Sequence, residues 1–105
     1  MLVQKALAEM IGTFAMIFVG VSSVILSEKY PQLFPPIVVP ITWGTIIALM
    51  IVALGSTSGA HFNPAVTLAL TIAKRLPLAL LPLYWGSQFL GGFAAILALE
   101  GIKKL

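Results

Sequence analysis

Asn63, Pro64 and Ala65 lie within the run Ser58-Gly59-Ala60-His61-Phe62-Asn63-Pro64-Ala65-Val66-Thr67. Asn followed by Pro reads as a helix N-cap followed by a first helical residue that lacks an N–H. The Asn63 carbonyl oxygen can cap the helix, which leaves its NH₂ free to donate. A helix N-terminus also presents unpaired N–H groups and the positive end of the helix dipole. It repels cations and attracts a dipolar oxygen or an anion. The backbone carbonyls of Gly59, Ala60 and His61 supply a ladder of acceptors beside it. Donors at one point and acceptors along one wall can replace the hydration of a small neutral molecule. No catalytic arrangement accompanies them: the chain has one His, no Asp and three well-separated Glu. It has no Cys, so neither a disulfide framework nor a thiolate metal site is available, and His61 has no partner ligand in sequence. An enzyme, a metal centre and a bound cofactor are therefore not expected.

The elements that position these groups belong to a membrane protein. Hydrophobic residues make up 60% of the 105 residues and charged ones 9%, with mean hydropathy +1.10. Six Lys and Arg, scattered along the chain, are too few for a nucleic-acid surface. Apolar runs predict spans over 5–27, 37–55 and 81–101, each near the ~20 residues a bilayer requires. The first is too long for a signal-peptide core and carries Glu9, so it reads as a retained span. Prolines break the chain over 28–36. Residues 56–74 read as an extended loop followed by a short helix over 64–74, too short to cross a bilayer. The segment is re-entrant, and irregular backbone at that depth must be buried by protein or line a water-filled cavity. Ala8, Gly12, Met16 and Gly20 form one helix face, and Ser87, Gly91 and Ala95 another, at the spacing of four that lets helices approach closely. Residues 1–105 make one unit with no internal repeat.

Several polar groups inside the spans need partners. Glu9 reads as an anchor for loop N–H groups, with a proton relay as the other reading. Gln88 is expected to bond loop backbone across helices. His61 offers its carbonyl to the loop surface, while its ring packs and bonds locally. Tyr84 and Trp85 read as membrane-interface aromatics, and Trp43, near the start of its span, can be one as well. Lys74 and Arg75 suit the C-terminus of the short helix.

The ten-residue run resembles that of the aquaporin (major intrinsic protein) family, specifically its first half. Ala8-Glu9 with Gly12-Thr13-Phe14, and Gln88 with Gly91, extend the resemblance over nearly the whole chain. It implies an all-α membrane fold of three transmembrane helices plus one re-entrant half-helix, half of the family's barrel. In the family two such halves are joined in inverted orientation, their half-helices meet at two Asn-Pro-Ala caps, and four barrels form a tetramer. The implied channel passes water and small neutral solutes such as glycerol. The family's selectivity constriction maps by spacing onto Trp43 and, from a second copy, Ile51, Ala60 and Val66. Trp with small aliphatic neighbours looks like the nodulin-type subgroup. Val66 stands at the spacing of the family's usual arginine, which implies a wider, less polar constriction without a fixed positive charge.

Half a barrel encloses no pore, so a second copy inserted upside down is the expected completion. With the N-terminus on one side, that side holds Lys5, Lys74 and Arg75, and the other Lys29, Lys103 and Lys104. Three against three gives no preferred orientation under the positive-inside rule. The expectation is an antiparallel homodimer per pore, inserted in both orientations in the plasma membrane, with an octamer of four pores implied by the resemblance. The competing expectations are a non-conducting half that needs a different half-chain, and a small dual-topology transporter coupled through Glu9.

Overall fold

The computed structural model describes residues 1–104, and among these the regular elements are all helices, without β-strand. Helix α1 runs Leu2–Lys29, α2 Val38–Ser58, α3 Pro64–Ile72 and α4 Leu81–Lys103, with a 3₁₀ turn at Leu78–Leu80 before α4. Helices α1, α2 and the last are long and apolar enough to cross a membrane. The body measures 46 × 26 × 21 Å, longest along the helices. Helix α1 is central, with α2 on one flank and α4 on the other, and α3 rests on α4.

Small residues set these approaches. On α1, Gly12 lies under the ring of Phe62 and Gly20 under the indole of Trp43, so a side chain at either position would overlap an aromatic ring. Gly91 of α4 sits directly against the backbone carbonyl of Met10. Ala95 on the same face is fully buried. In lipid, where apolar surface gains little from association, this close packing supplies much of the attraction between helices.

The helix ends differ from the sequence expectation. The first span extends three residues earlier and two later than 5–27. The second continues through Gly55 to Ser58, because Gly59, not Gly55, adopts the left-handed cap (φ 90°) and returns its N–H to the Gly55 carbonyl. The non-helical stretch therefore shrinks to 59–63. Helix α3 stops at Ile72 rather than 74. Lys74 takes a left-handed conformation (φ 61°), its N–H reaches the Thr71 carbonyl, and the Arg75 N–H reaches Leu70. This is a Schellman closure built on lysine where glycine is usual. Lys74 and Arg75 accordingly lie just beyond the helix rather than in its last turn. The last span begins at Leu81 as expected, with Pro82 in its first turn, and ends at Lys103 rather than 101.

Gly91→Ala should lower the thermal unfolding midpoint in detergent, by the equivalent of about 1–3 kcal/mol of overpacking. Gly86→Ala, on the same helix with nothing within 4 Å of the added carbon, should leave it unchanged or raise it.

Candidate functional site: a re-entrant loop hung from a buried carboxylate

Between α2 and α3 the chain must reverse within five residues. Gly59 turns it, and Ala60 (φ 55°) and Phe62 (φ 54°) then adopt left-handed conformations that side-chain-bearing residues disfavour. Such strain persists only where surrounding bonds over-determine the backbone. Glu9, with 0% exposure, supplies them. Its Oε2 accepts from Ser58 Oγ at 2.7 Å and from the His61 N–H at 3.0 Å. Its Oε1 accepts from the Phe62 N–H and from Gln88 Nε2, both at 2.8 Å. Four donors on one carboxylate satisfy it without a cationic partner. Ser58 Oγ also accepts the Ala60 N–H at 3.1 Å.

A second hub is Thr67, also at 0% exposure. Its Oγ1 accepts from Gln88 Nε2 at 2.8 Å, lies 3.0 Å from His61 Nδ1 and donates to the Asn63 carbonyl at 3.2 Å. Gln88 thus ties Glu9 to Thr67. It does not bond loop backbone, because its NH₂ is consumed by these two side chains. Tyr84 and Trp85 also depart from expectation. Tyr84 is 1% exposed, donates its hydroxyl to the Ser58 carbonyl at 2.6 Å and stacks obliquely on His61, centroids 4.8 Å apart. Trp85 Nε1 donates to the Pro64 carbonyl at 3.0 Å. Both spend their polar tips on backbone carbonyls of the loop's two ends and so brace it. Sequence reasoning gave no role to Ser58, Thr67 or this bracing; the signal was a set of hydroxyl-bearing residues in otherwise apolar segments.

The braced loop presents its polar face outward. Asn63 takes an extended conformation, and its Oδ1 caps α3 by accepting the Ala65 N–H at 2.8 Å. Its side-chain NH₂ has no partner among the described residues, and Asn63 is exposed. Pro64 brings no N–H at the first helical position, and the Val66 N–H behind it is unpaired among the described residues. No donor among them reaches the carbonyls of Gly59, Ala60 or His61. Donors at a helix head, unpaired among the described residues, thus sit beside unpaired acceptors on the incoming loop. Val66 is 42% and Ile51 49% exposed, while Trp43 is half-buried against Gly20. Within one copy Trp43 and Ile51 stand on α2, outside the loop network. Among the described residues no cluster of His, Cys, Asp or Glu could hold a metal.

The family model for Major intrinsic protein matches residues 1–105. The chain is 47% identical to "Putative aquaporin NIP4-1" of Arabidopsis thaliana over 99% of its own length and 37% of that protein's. It is 38% identical to "Nodulin-26" of Glycine max over 88% of its length and 34% of the relative's. It is 43% identical to "Aquaporin Z" of Brucella melitensis biotype 1 over 90% of its length and 42% of the relative's. The chain thus spans about a third to two-fifths of these curated relatives.

Glu9→Gln replaces an acceptor by an amide that points a donor at donors. It should destabilise the protein by about 2–4 kcal/mol and increase proteolysis within 59–62, read by thermal unfolding and limited digestion. Tyr84→Phe, which strips the Ser58 carbonyl of its donor, should cost about 1–2 kcal/mol.

Proposed function

Because the chain belongs to the major intrinsic protein family, we propose that it supplies one half of a membrane pore for water and small neutral solutes. The single observation that carries this reading is the Asn63 cap. Its Oδ1 is fixed on the Ala65 N–H, so its NH₂ is the part left to meet a solute. A water or polyol hydroxyl passing the head of α3 can accept from the Asn63 NH₂ through its oxygen, then donate its O–H to the open carbonyls of His61, Ala60 and Gly59. Donor and acceptor positions fixed in advance exchange for hydration at little reorganisation cost. A cation meets the positive end of α3 and is repelled.

The polar face needs a cover in lipid, since unpaired backbone groups there are costly. A second copy in inverted orientation provides it by the same surface used twice, and the three-against-three distribution of cations supports insertion both ways. In this pair Trp43 of one copy and Ile51, Ala60 and Val66 of the other form the constriction. Val66 puts no fixed charge there, so exclusion of cations and protons falls to the two half-helix dipoles. Small polyols such as glycerol then pass with water, as the resemblance to the nodulin-type subgroup implies. Four such pairs in the plasma membrane, an octamer, follow from family likeness alone.

Purified chain reconstituted into liposomes should give osmotic shrinkage by stopped flow well above that of empty vesicles. Asn63→Asp keeps the helix cap, since Asp caps as well as Asn, yet replaces the free donor by a negative charge and should abolish the flux. Shrinkage no faster than empty liposomes, from protein shown to be folded, would sink the homomeric pore. Val66→Arg should reduce glycerol entry more than water entry, measured in the same vesicles.

A further inference from the structure

Thr67 Oγ1 makes three contacts, and its single proton decides the state of the His61 ring. A hydroxyl has one proton to give and two lone pairs to accept with. Gln88 Nε2 spends one proton on Glu9 and the other on Thr67 Oγ1, filling one lone pair. The Asn63 carbonyl, 3.2 Å away, has no proton, so that contact is a bond only if Thr67 donates into it. His61 Nδ1, at 3.0 Å, must then give its own proton to the remaining lone pair. With the opposite tautomer Thr67 would turn its proton to Nδ1 and leave two oxygens facing each other at 3.2 Å. Of the two neutral tautomers, only the Nδ1–H form makes all three contacts hydrogen bonds.

The other ring nitrogen is thereby left with a lone pair. Nε2 has no hydrogen-bond partner among the described residues. The enclosed polar side-chain atoms without a partner, among those residues, are Thr13 Oγ1 and Gln88 Oε1. Nε2 is not one of them, so solvent reaches it. The Nδ1 edge instead faces buried Thr67, and one ring face covers buried Tyr84 with centroids 4.8 Å apart. The Nε2 edge lies over Gly59: a carbon added there would stand 3.2 Å from Nε2 and 3.4 Å from Cδ2. Gly59 is the first of the three residues with unpaired carbonyls, so the bare nitrogen stands beside them.

We propose that Thr67 holds His61 in the Nδ1–H tautomer, so that Nε2 joins the carbonyls of Gly59, Ala60 and His61 as an acceptor for the O–H of a passing solute. This role rests on the pore reading above and adds a side chain to a wall otherwise built of backbone. A carbonyl can only accept, whereas an imidazole nitrogen becomes a donor if the tautomer changes. Thr67 is thus a positioning residue: it lies buried behind the ring and sets which partner the ring offers.

His61 is the one His in the chain, so isotope-labelled histidine reports on this ring alone. In liposomes at about pH 8, where an ordinary imidazole is neutral, solid-state NMR should find Nδ1 protonated and Nε2 bare, with magnetisation reaching Nε2 from water. Thr67→Val removes the acceptor of Nδ1, so the Nε2-protonated form, which can bond water, should appear. Thr67→Ser should keep the parent spectrum. Stopped-flow water flux should follow the tautomer. It should fall roughly two- to tenfold, the weight of one hydrogen bond, in Thr67→Val and in His61→Phe, which keeps a ring on Tyr84 without either nitrogen. A parent with Nε2 protonated, a Thr67→Val spectrum identical to the parent's, or His61→Phe flux equal to the parent's would overturn the proposal. Should Thr67→Val not fold, the parent spectrum and His61→Phe still decide. Failure of the pore reads differently: a folded parent with bare, hydrated Nε2 and flux no faster than empty liposomes removes the pore and keeps the tautomer.

Discussion

The carboxylate of Glu9 is the constraint on which the rest of this structure depends. A charged group inside a membrane span is costly unless its lone pairs are filled, and an irregular loop at that depth is costly unless its N–H groups are. Each problem solves the other here. The Ser58 hydroxyl, two loop N–H groups and the Gln88 amide converge on one side chain. Because the donors come from α2's end, the loop and α4, one residue of α1 fixes the mutual position of all the elements. The left-handed Ala60 and Phe62 are held by the same bonds. With the N–H groups drawn inward to Glu9, the loop carbonyls find no donor among the described residues.

Packing serves that polar centre. Phe62 can pack its buried ring against α1 only because Gly12 has no side chain. Gly91 brings α4 against Met10, one residue from Glu9, which puts Gln88 within reach of the carboxylate. Tyr84 and Trp85, one turn earlier on α4, then meet the carbonyls of Ser58 and Pro64 at the two ends of the loop. Apolar contact and hydrogen bonding thus share the same register along α4.

How much of this was legible follows from the kind of signal each feature leaves. The three spans and the half-helix were readable because apolar runs and an Asn-Pro cap are local patterns. The anchoring of loop N–H groups by Glu9 was readable because a lone buried acid in an apolar run demands donors. The end of α2 was not, since Gly55 and Gly59 are both plausible caps and only the reversal into the loop selects the second. Tyr84 and Trp85 carry an apolar body and a polar tip, which serves an interface or a buried carbonyl equally well. Their acceptors lie 26 and 21 residues away and leave no mark in the local sequence. Gln88 was placed correctly in the interior but assigned backbone partners, because nothing local distinguishes them from Glu9 and Thr67.

The separation between Glu9 and its donors has a consequence for biogenesis. Ser58 follows it by 49 residues and Gln88 by 79. At ribosomal speeds of ~5–20 residues per second, α1 is made seconds before the first donor and about 4–16 s before the last. During that interval the acid has no donor from its own chain, so release of α1 into hydrocarbon ahead of the loop and α4 is costly. The half-barrel therefore closes late, when Ser58, His61, Phe62 and Gln88 have all been made and can converge on Glu9.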